Sequence, residues 1–318
     1  MLRILHDTKI DFIRWWRWAA GLTIGFILIG LGSLAIKGGF DYSVEFTGGT
    51  LMQLHFTTAP DAGKIRAALD AGGIKDAEIA TFGTPSDFTV RARSDVEAGG
   101  ADSSSRKIET LLVNGFGRDA FKVVRTEAVG PKVGTELKRG AITAILVSFF
   151  VTLVYLAIRF DWRFGVAATI ATMHDILTTV AFMKILHLEV SLTVIAALLT
   201  VIGYSLNDTI IIFDRVRENL RKNRREPLYS TLNRSVNETL PRSVLTHATA
   251  LAATLALLFF AGEVIRPFAW VMAFGIFTGT FSSVYVASPI LLWIETKYPR
   301  ENTAKSAKSA KSVRAKTA

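Results

Sequence analysis

Four ionisable side chains, His174, Asp175, Asp208 and Arg242, fall inside or at the mouth of long apolar runs. Such groups are costly in hydrocarbon, so they face a protein interior or a water path and are paired, hydrated or neutral. Asp208 lies five residues from the end of the run 190–213, roughly 8 Å deep at about 1.5 Å per residue. Arg242 opens the run 243–262 from the same side. An Asp–Arg pair in low dielectric holds both charges, and protonating the Asp breaks it, which makes a switch. His174 and Asp175 sit near the middle of the run 164–186; neighbours on a helix point about 100° apart and need not share a partner. Two readings stay open. Titratable groups at different depths suit a proton relay, and a polar pair also suits fixed helix packing. Tyr204, one turn before Asp208, and Thr246, one turn after Arg242, are placed either to hydrogen-bond this site or to make plain helix contacts.

Other chemistries are excluded. The chain has no cysteine, so it offers no thiol nucleophile, disulfide or thiolate metal site. No His, Asp or Glu cluster has metal-ligand spacing, and no cofactor is expected. Gly48-Gly49 is not a nucleotide loop, and no G-x-x-x-x-G-K-[ST] occurs anywhere. ATP bound by this chain is therefore not the expected energy source, and hydrolase chemistry is not expected.

The elements that must position these residues follow from hydropathy. The 318 residues carry a net charge of +10 and a mean hydropathy of +0.35, with 20% charged residues. An average soluble domain has about 25%, so the charge and the apolar bulk must sit in different places. A bilayer core takes about 20 mostly apolar helical residues. Six segments qualify: 19–36, 140–158, 164–186, 190–213, 243–262 and 268–294. The first is too long for a signal-peptide core and lacks a cleavage pattern, so it is read as a retained span. Trp15, Trp16, Trp18, Trp162, Trp293 and Tyr298 fall at span ends, as interfacial aromatics do. Lys and Arg crowd the segments 1–18, 159–163, 214–242 and 295–318, and are sparse at 187–189 and 263–266. That asymmetry predicts cytoplasmic termini, a cytoplasmic loop at 214–242, and segment 37–139 outside. The surplus charge thus serves membrane orientation, and nucleic acid is not an expected partner.

Segment 37–139 suffices for one small domain. Strand patterns at 51–57, 78–82, 88–93 and 121–128 and helical patterns at 61–71 and 103–113 give the order β-α-β-β-α-β. The predicted fold is an α-helical integral membrane protein with six transmembrane helices and a small α+β ferredoxin-like periplasmic domain between spans one and two. Gly21-x-x-x-Gly25 and Gly275-x-x-x-Gly279 are expected to let helices approach closely. The Ala-Lys-Ser tail from Thr303 is low-complexity and expected to be disordered; its charge reads either as solvated or as contacting anionic lipid or an acidic partner.

Several of these residues stand in motifs. Phe46-Thr47-Gly48-Gly49-Thr50 follows the first span, and Gly130-Pro131-Lys132-Val133-Gly134 precedes the second. Arg159-Phe160 and His174-Asp175 come next. Gly203-Tyr204-Ser205-Leu206-Asn207-Asp208-Thr209 lies in span four, Asp214-Arg215-Val216-Arg217-Glu218-Asn219 follows it, and Arg242-Ser243 with Thr246 opens span five. Together they resemble the SecD/SecF family of the bacterial Sec export machinery, over nearly the whole chain up to about Pro299. The modest outer segment resembles the SecF side. The span-four motif with its extension is the specific part; a Gly-Gly pair alone is weak. The resemblance implies a scaffold of the resistance–nodulation–division superfamily in the inner membrane. This chain would be one half of a twelve-span unit, with a SecD-like subunit as the other. It implies a complex that assists the SecYEG channel, with YajC as a further candidate partner, and draws preproteins outward with the proton gradient. It also implies that Asp208 and Arg242 match the family's essential charged pair, with Asn207 beside them in the motif. Two departures stand out. Glu45 replaces a frequent Asp and keeps its charge. His247 replaces a small hydroxyl residue after Thr246, which either adds a titratable group or fills space.

The expected function is a proton-driven translocase subunit in which Asp208 alternates between a charged form paired with Arg242 and a neutral one. A small-molecule efflux subunit on the same scaffold is one rival; it needs two large outer loops, and this chain has one. A non-transporting membrane scaffold, whose charges only pack helices, is the other.

Overall fold

A computed structural model describes residues 8–75, 77–92, 101–223, 225–262 and 264–299. The tail expected to be disordered from Thr303 lies outside the described residues, as do Arg3, Arg93, Arg224 and Glu263. In chain order the elements are α1 (Trp16–Lys37), α2 (Val44–Thr47), β1 (Gly49–Phe56), α3 (Ala62–Ala71), β2 (Glu78–Thr81), β3 (Asp87–Ala92), α4 (Ala101–Phe116) and β4 (Phe121–Val129). Then come α5 (Pro131–Arg159), α6 (Trp162–Ile185), α7 (Leu192–Lys222), α8 (Leu228–Phe260), α9 (Arg266–Ser282) and α10 (Ser288–Lys297). A π-helical turn, Ser283–Ala287, joins the last two. Among the described residues six helical segments are long and apolar enough to cross a membrane, the sixth being α9 through α10. The chain divides into two compact units, residues 40–146 with 189–195, and the remainder.

The smaller unit is α+β. Its four-stranded sheet has the order β2-β3-β1-β4 with every neighbour antiparallel, which is the ferredoxin-like arrangement expected. Alternation explains β3: Phe88, Val90 and Ala92 are buried while the residues between them are not. Asp61 starts α3 by accepting from the Gly63 amide at 2.8 Å. Ile65 and Leu69 of α3, and Ile108 and Leu112 of α4, then bury against Met52, Leu54 and Phe56 of β1. No disulfide is present to help, so this core holds the unit. Gly48 and Gly49 take φ values of 71° and 128°, a region where a side chain is strained. A Cβ on Gly134 would lie 3.1 Å from the Gly48 nitrogen and 3.2 Å from the Phe46 oxygen. The two glycine motifs, far apart in sequence, therefore pack on one another.

The same unit holds the start of α7. The Ser43 amide donates to the Val190 carbonyl at 3.0 Å, and the Val190 amide to Asp41 at 2.7 Å. Arg91 of β3 pairs with Glu189 at 2.6 Å. Glu45 Oε2 accepts from the Leu192 amide at 2.6 Å, satisfying one of the orphan donors at the N-terminus of α7.

The larger unit is a helix bundle. Phe213 meets the stacked rings of Phe160 and Phe164 edge-on, with Leu156, Ala167, Leu232 and Leu291 around them. The connection between spans four and five, read from sequence as the loop 214–242, is mostly helix, because α7 runs to Lys222 and α8 starts at Leu228. Polarity ends the apolar run there, but Val216, Leu232 and Val236 keep a buried stripe going. Asn219 Nδ2 donates to Ser235 at 3.0 Å and Glu238 at 2.8 Å, joining the two helices. Gly275 and Gly279 of α9 lie against Val201 and Ser205 of α7, and a Cβ on Gly279 would sit 2.8 Å from the Ser205 Cβ. Gly21 and Gly25 do not make the expected close approach: among the described residues nothing lies within 4 Å of a Cβ added at either.

Candidate functional site

Asp175 is 1% exposed and is tied to three spans. Its Oδ2 accepts from Ser205 of α7, and from Ser282 at the end of α9 at 2.7 Å. Its Oδ1 is 3.2 Å from Nδ1 of His174 on its own helix. Thr178 and Thr179 turn their hydroxyls to the backbone carbonyls of this turn, at 2.9 and 2.7 Å. Adjacent helix positions were not required to share a partner, yet here the imidazole and the carboxyl meet. His174 Nε2 is buried and has no hydrogen-bond partner among the described residues.

Asp208 lies one turn along α7 from Ser205 and is 3% exposed. Its Oδ1 accepts from Ser243 of α8 at 2.9 Å. Its Oδ2 is buried without a hydrogen-bond partner among the described residues, and His247 Nε2 stands 3.8 Å away. The neighbouring Thr209 shares a 2.8 Å hydrogen bond with Ser283, the first residue of the π turn. The expected contact with Arg242 is not made. Arg242 is exposed and forms no ion pair within 4.0 Å among the described residues. The reason is helical phase: Ser243 and His247 are four residues apart and share the face toward α7, and Arg242 is turned away from it.

The supporting residues are placed variously. Tyr204 Oη donates to the Thr246 carbonyl at 3.2 Å, and its ring meets His247 at a centroid distance of 5.4 Å. The Thr246 hydroxyl bonds the Arg242 carbonyl of its own helix at 2.9 Å. Neither reaches Asp208. Asn207 is exposed on the outer face of α7 with Thr200 and Gly203. Phe46, Gly48 and Gly49 belong to the α+β unit and shape its entry to β1. Sequence reasoning gave no role to Ser205, Ser243, Ser282 or Thr280, nor to Lys184, which is buried and donates to the Gly39 carbonyl at 2.5 Å. Spacing held a signal for two of them: Ser205 stands one turn before Asp208, and Ser243 follows Arg242. Among the described residues no group of three His, Asp or Glu side chains is arranged to hold a metal.

Buried carboxyls tied to serine hydroxyls on neighbouring membrane-length helices, with a ferredoxin-like unit in the same chain, describe an integral membrane protein that keeps titratable groups in its interior. Comparison with known proteins agrees. The family described as protein export membrane protein SecD/SecF, C-terminal, matches residues 109–297, and the SecD/SecF GG motif matches 32–60. A protein translocase subunit SecF of Gemmatimonas aurantiaca is 61% identical over 100% of this chain and 96% of its own length. One of Vibrio alginolyticus is 40% identical, covering 92% of each chain. The crystal structure of SecDF, a translocon-associated membrane protein from Thermus thermophilus, superposes with a TM-score of 0.82 at 36% identity. That match covers 93% of this chain and 40% of the SecDF chain. The chain belongs to the SecD/SecF family, and its role is in protein export.

Proposed function

We propose that the chain couples the proton motive force to preprotein export through SecYEG, as one six-span half of a complex with a SecD-type subunit. The observation that carries this reading is Asp208, a buried in-span carboxyl with one oxygen held by Ser243 and the other unpartnered among the described residues. Such a group gains or loses a proton with a large change in local attraction. The separation of Asp208 from Arg242 is the open position of a switch. Proton loss draws the guanidinium in, and proton uptake releases it. One charge moved across 100 mV is worth about 2.3 kcal/mol, comparable to the few kcal/mol that separate two packings of a helix bundle.

Movement of α7 has a route outward, because Glu45 of the α+β unit caps that helix. In this reading the basic segments keep both termini in the cytoplasm of the inner membrane, and the α+β unit is periplasmic. There the unit would hold an emerging chain on a sheet edge or surface. The outward stripe of Thr200, Gly203 and Asn207 on α7 suits a second helix bundle, small and polar residues being common between spans. YajC is a further subunit of the same complex in this reading.

The test is Asp208→Asn expressed in place of the parent chain. Export stimulation is expected to be lost at unchanged abundance and unchanged association with the SecD-type subunit. Normal export would sink the proton switch and favour a scaffold.

A further inference from the structure

We propose that His247 is the direct proton partner of Asp208, presenting a bare ring Nε2 to the carboxyl as the acceptor. The proposal rests on the reading above that Asp208 carries the coupled proton. The tautomer is part of the proposal. Thr280 Oγ1 lies 3.0 Å from the Ile276 carbonyl, and we assign its single hydrogen to that carbonyl, as for the back-bonded hydroxyls of these helices. Its 2.9 Å contact with His247 Nδ1 then takes its hydrogen from the ring, with Nδ1–H donating to Oγ1. A neutral imidazole protonated at Nδ1 has its lone pair at Nε2. Nε2 faces Asp208 Oδ2 at 3.8 Å, and Oδ2 is the carboxyl oxygen that accepts nothing among the described residues. Tyr204 holds the ring from a third side, 61° from parallel to it. Orientation and tautomer are thus fixed before any proton moves.

The gap is about 1 Å longer than a hydrogen bond, so a small approach of α8 to α7 closes it. In the step, the O–H bond at Asp208 Oδ2 breaks and an N–H bond forms at His247 Nε2. A carboxylate is left facing an imidazolium with hydrogens on both nitrogens, and the reverse step restores the start. No co-reactant is needed. The charged and titratable groups that face His247 are Asp208 and Tyr204 from α7; on its own helix Arg242, five residues earlier, is exposed and turned away, and α9 contributes Thr280, which does not titrate. Asp175 is engaged by Ser205 and Ser282. The imidazolium supplies at close range the counter-charge that Arg242, exposed here, does not.

Two measurements test this. In the first, the full chain labelled with nitrogen-15 at histidine is studied in lipid nanodiscs, with His247→Asn assigning the signal. Neutral His247 is expected to carry hydrogen on Nδ1 with Nε2 bare, and Thr280→Val to raise the Nε2–H population. In the second, His247→Gln is assembled with the SecD-type subunit and the channel. Proton-gradient stimulation of export is expected to fall about tenfold and to lose the pH dependence that the parent shows. A neutral His247 with hydrogen on Nε2, or His247→Gln with the parent's rate and pH profile, overturns the proposal. Asp208→Asn keeps the two claims apart. If that variant responds normally to the gradient, the coupling reading falls; if it fails while His247 carries Nε2–H, only the role of His247 falls.

Discussion

Asp87, at an exposed strand end, accepts from Thr84 Oγ1 at 2.6 Å and lies 2.6 Å from His55 Nδ1. Thr84 first, and His55 second, hold its carboxyl below the ordinary value of 3.8. A carboxyl depressed in the folded state contributes stability that is fully present above its unfolded value and is lost as pH falls through the folded one. Acidification below about pH 4 should therefore loosen the β1–β3 pairing of His55 with Asp87. Asp87→Asn should remove that acid-sensitive part. Amide exchange in β1 and β3 is then expected to be faster in the variant at pH 6 (about two units above the carboxylate range) and equal to the parent's at low pH. A constant ratio at all pH values would contradict it. Asp175 and Asp208 are buried carboxyls, each with one oxygen accepting from serine hydroxyls on neighbouring spans. Nothing in the identity of an aspartate distinguishes these roles; the distinction lies in what the fold places against each oxygen.

At the scale of elements, α7 links the pieces. Glu45 caps its first turn, Ser205 and Asp208 occupy its middle, and Asn219 and Arg215 bond α8 near its end, Arg215 reaching Glu238 at 2.6 Å. Removing the cap with Glu45→Ala should cost about 1 kcal/mol at that turn. The expected readout is faster amide exchange at 192–195 with β1 and β3 unchanged; equal exchange would show that the cap contributes nothing. Much of this level was legible. The six spans follow from apolar length, and the sheet order follows from strand alternation and the glycine-marked turns. The in-span charges Asp175 and Asp208 stand out because charge in an apolar run is conspicuous. The serines did not stand out, since most hydroxyls in these helices simply back-bond to a carbonyl four residues earlier, as Thr169, Thr172 and Thr200 do. Only the fold decides which hydroxyl meets a carboxyl. That Asp208 and Arg242, expected to pair in the charged form, stand apart here was not legible for a similar reason. Position along a span is visible in the sequence, but the facing of one helix toward another is set by packing, here by Gly275 and Gly279 of α9 against α7 and by Ser243 of α8.

The whole molecule separates charge from function. Its net +10 lies largely in the basic segments that set orientation, while the residues that carry the proposed coupling barely change the total. The N-terminal segment is part of the bundle, with Asn237 bonded to both backbone groups of Ile10 and Asp11 bonded to Tyr229 and Asn233. Tyr229, ahead of Asn233, holds the Asp11 carboxyl below its ordinary range. Asn237→Ala should therefore free the segment and lower the thermal stability of the purified chain by about 1–3 kcal/mol, through unpaired backbone groups; an unchanged unfolding profile would show the clamp to be incidental. The claim on which the rest depends is that a proton on Asp208 drives export. It is tested most directly in vesicles containing the chain, its SecD-type partner and the channel, with preprotein translocation timed with and without an imposed proton gradient. The parent complex should translocate faster when the gradient is present, and the Asp208→Asn complex should run at the gradient-free rate in both conditions. Equal acceleration of the two complexes by the gradient would contradict the account.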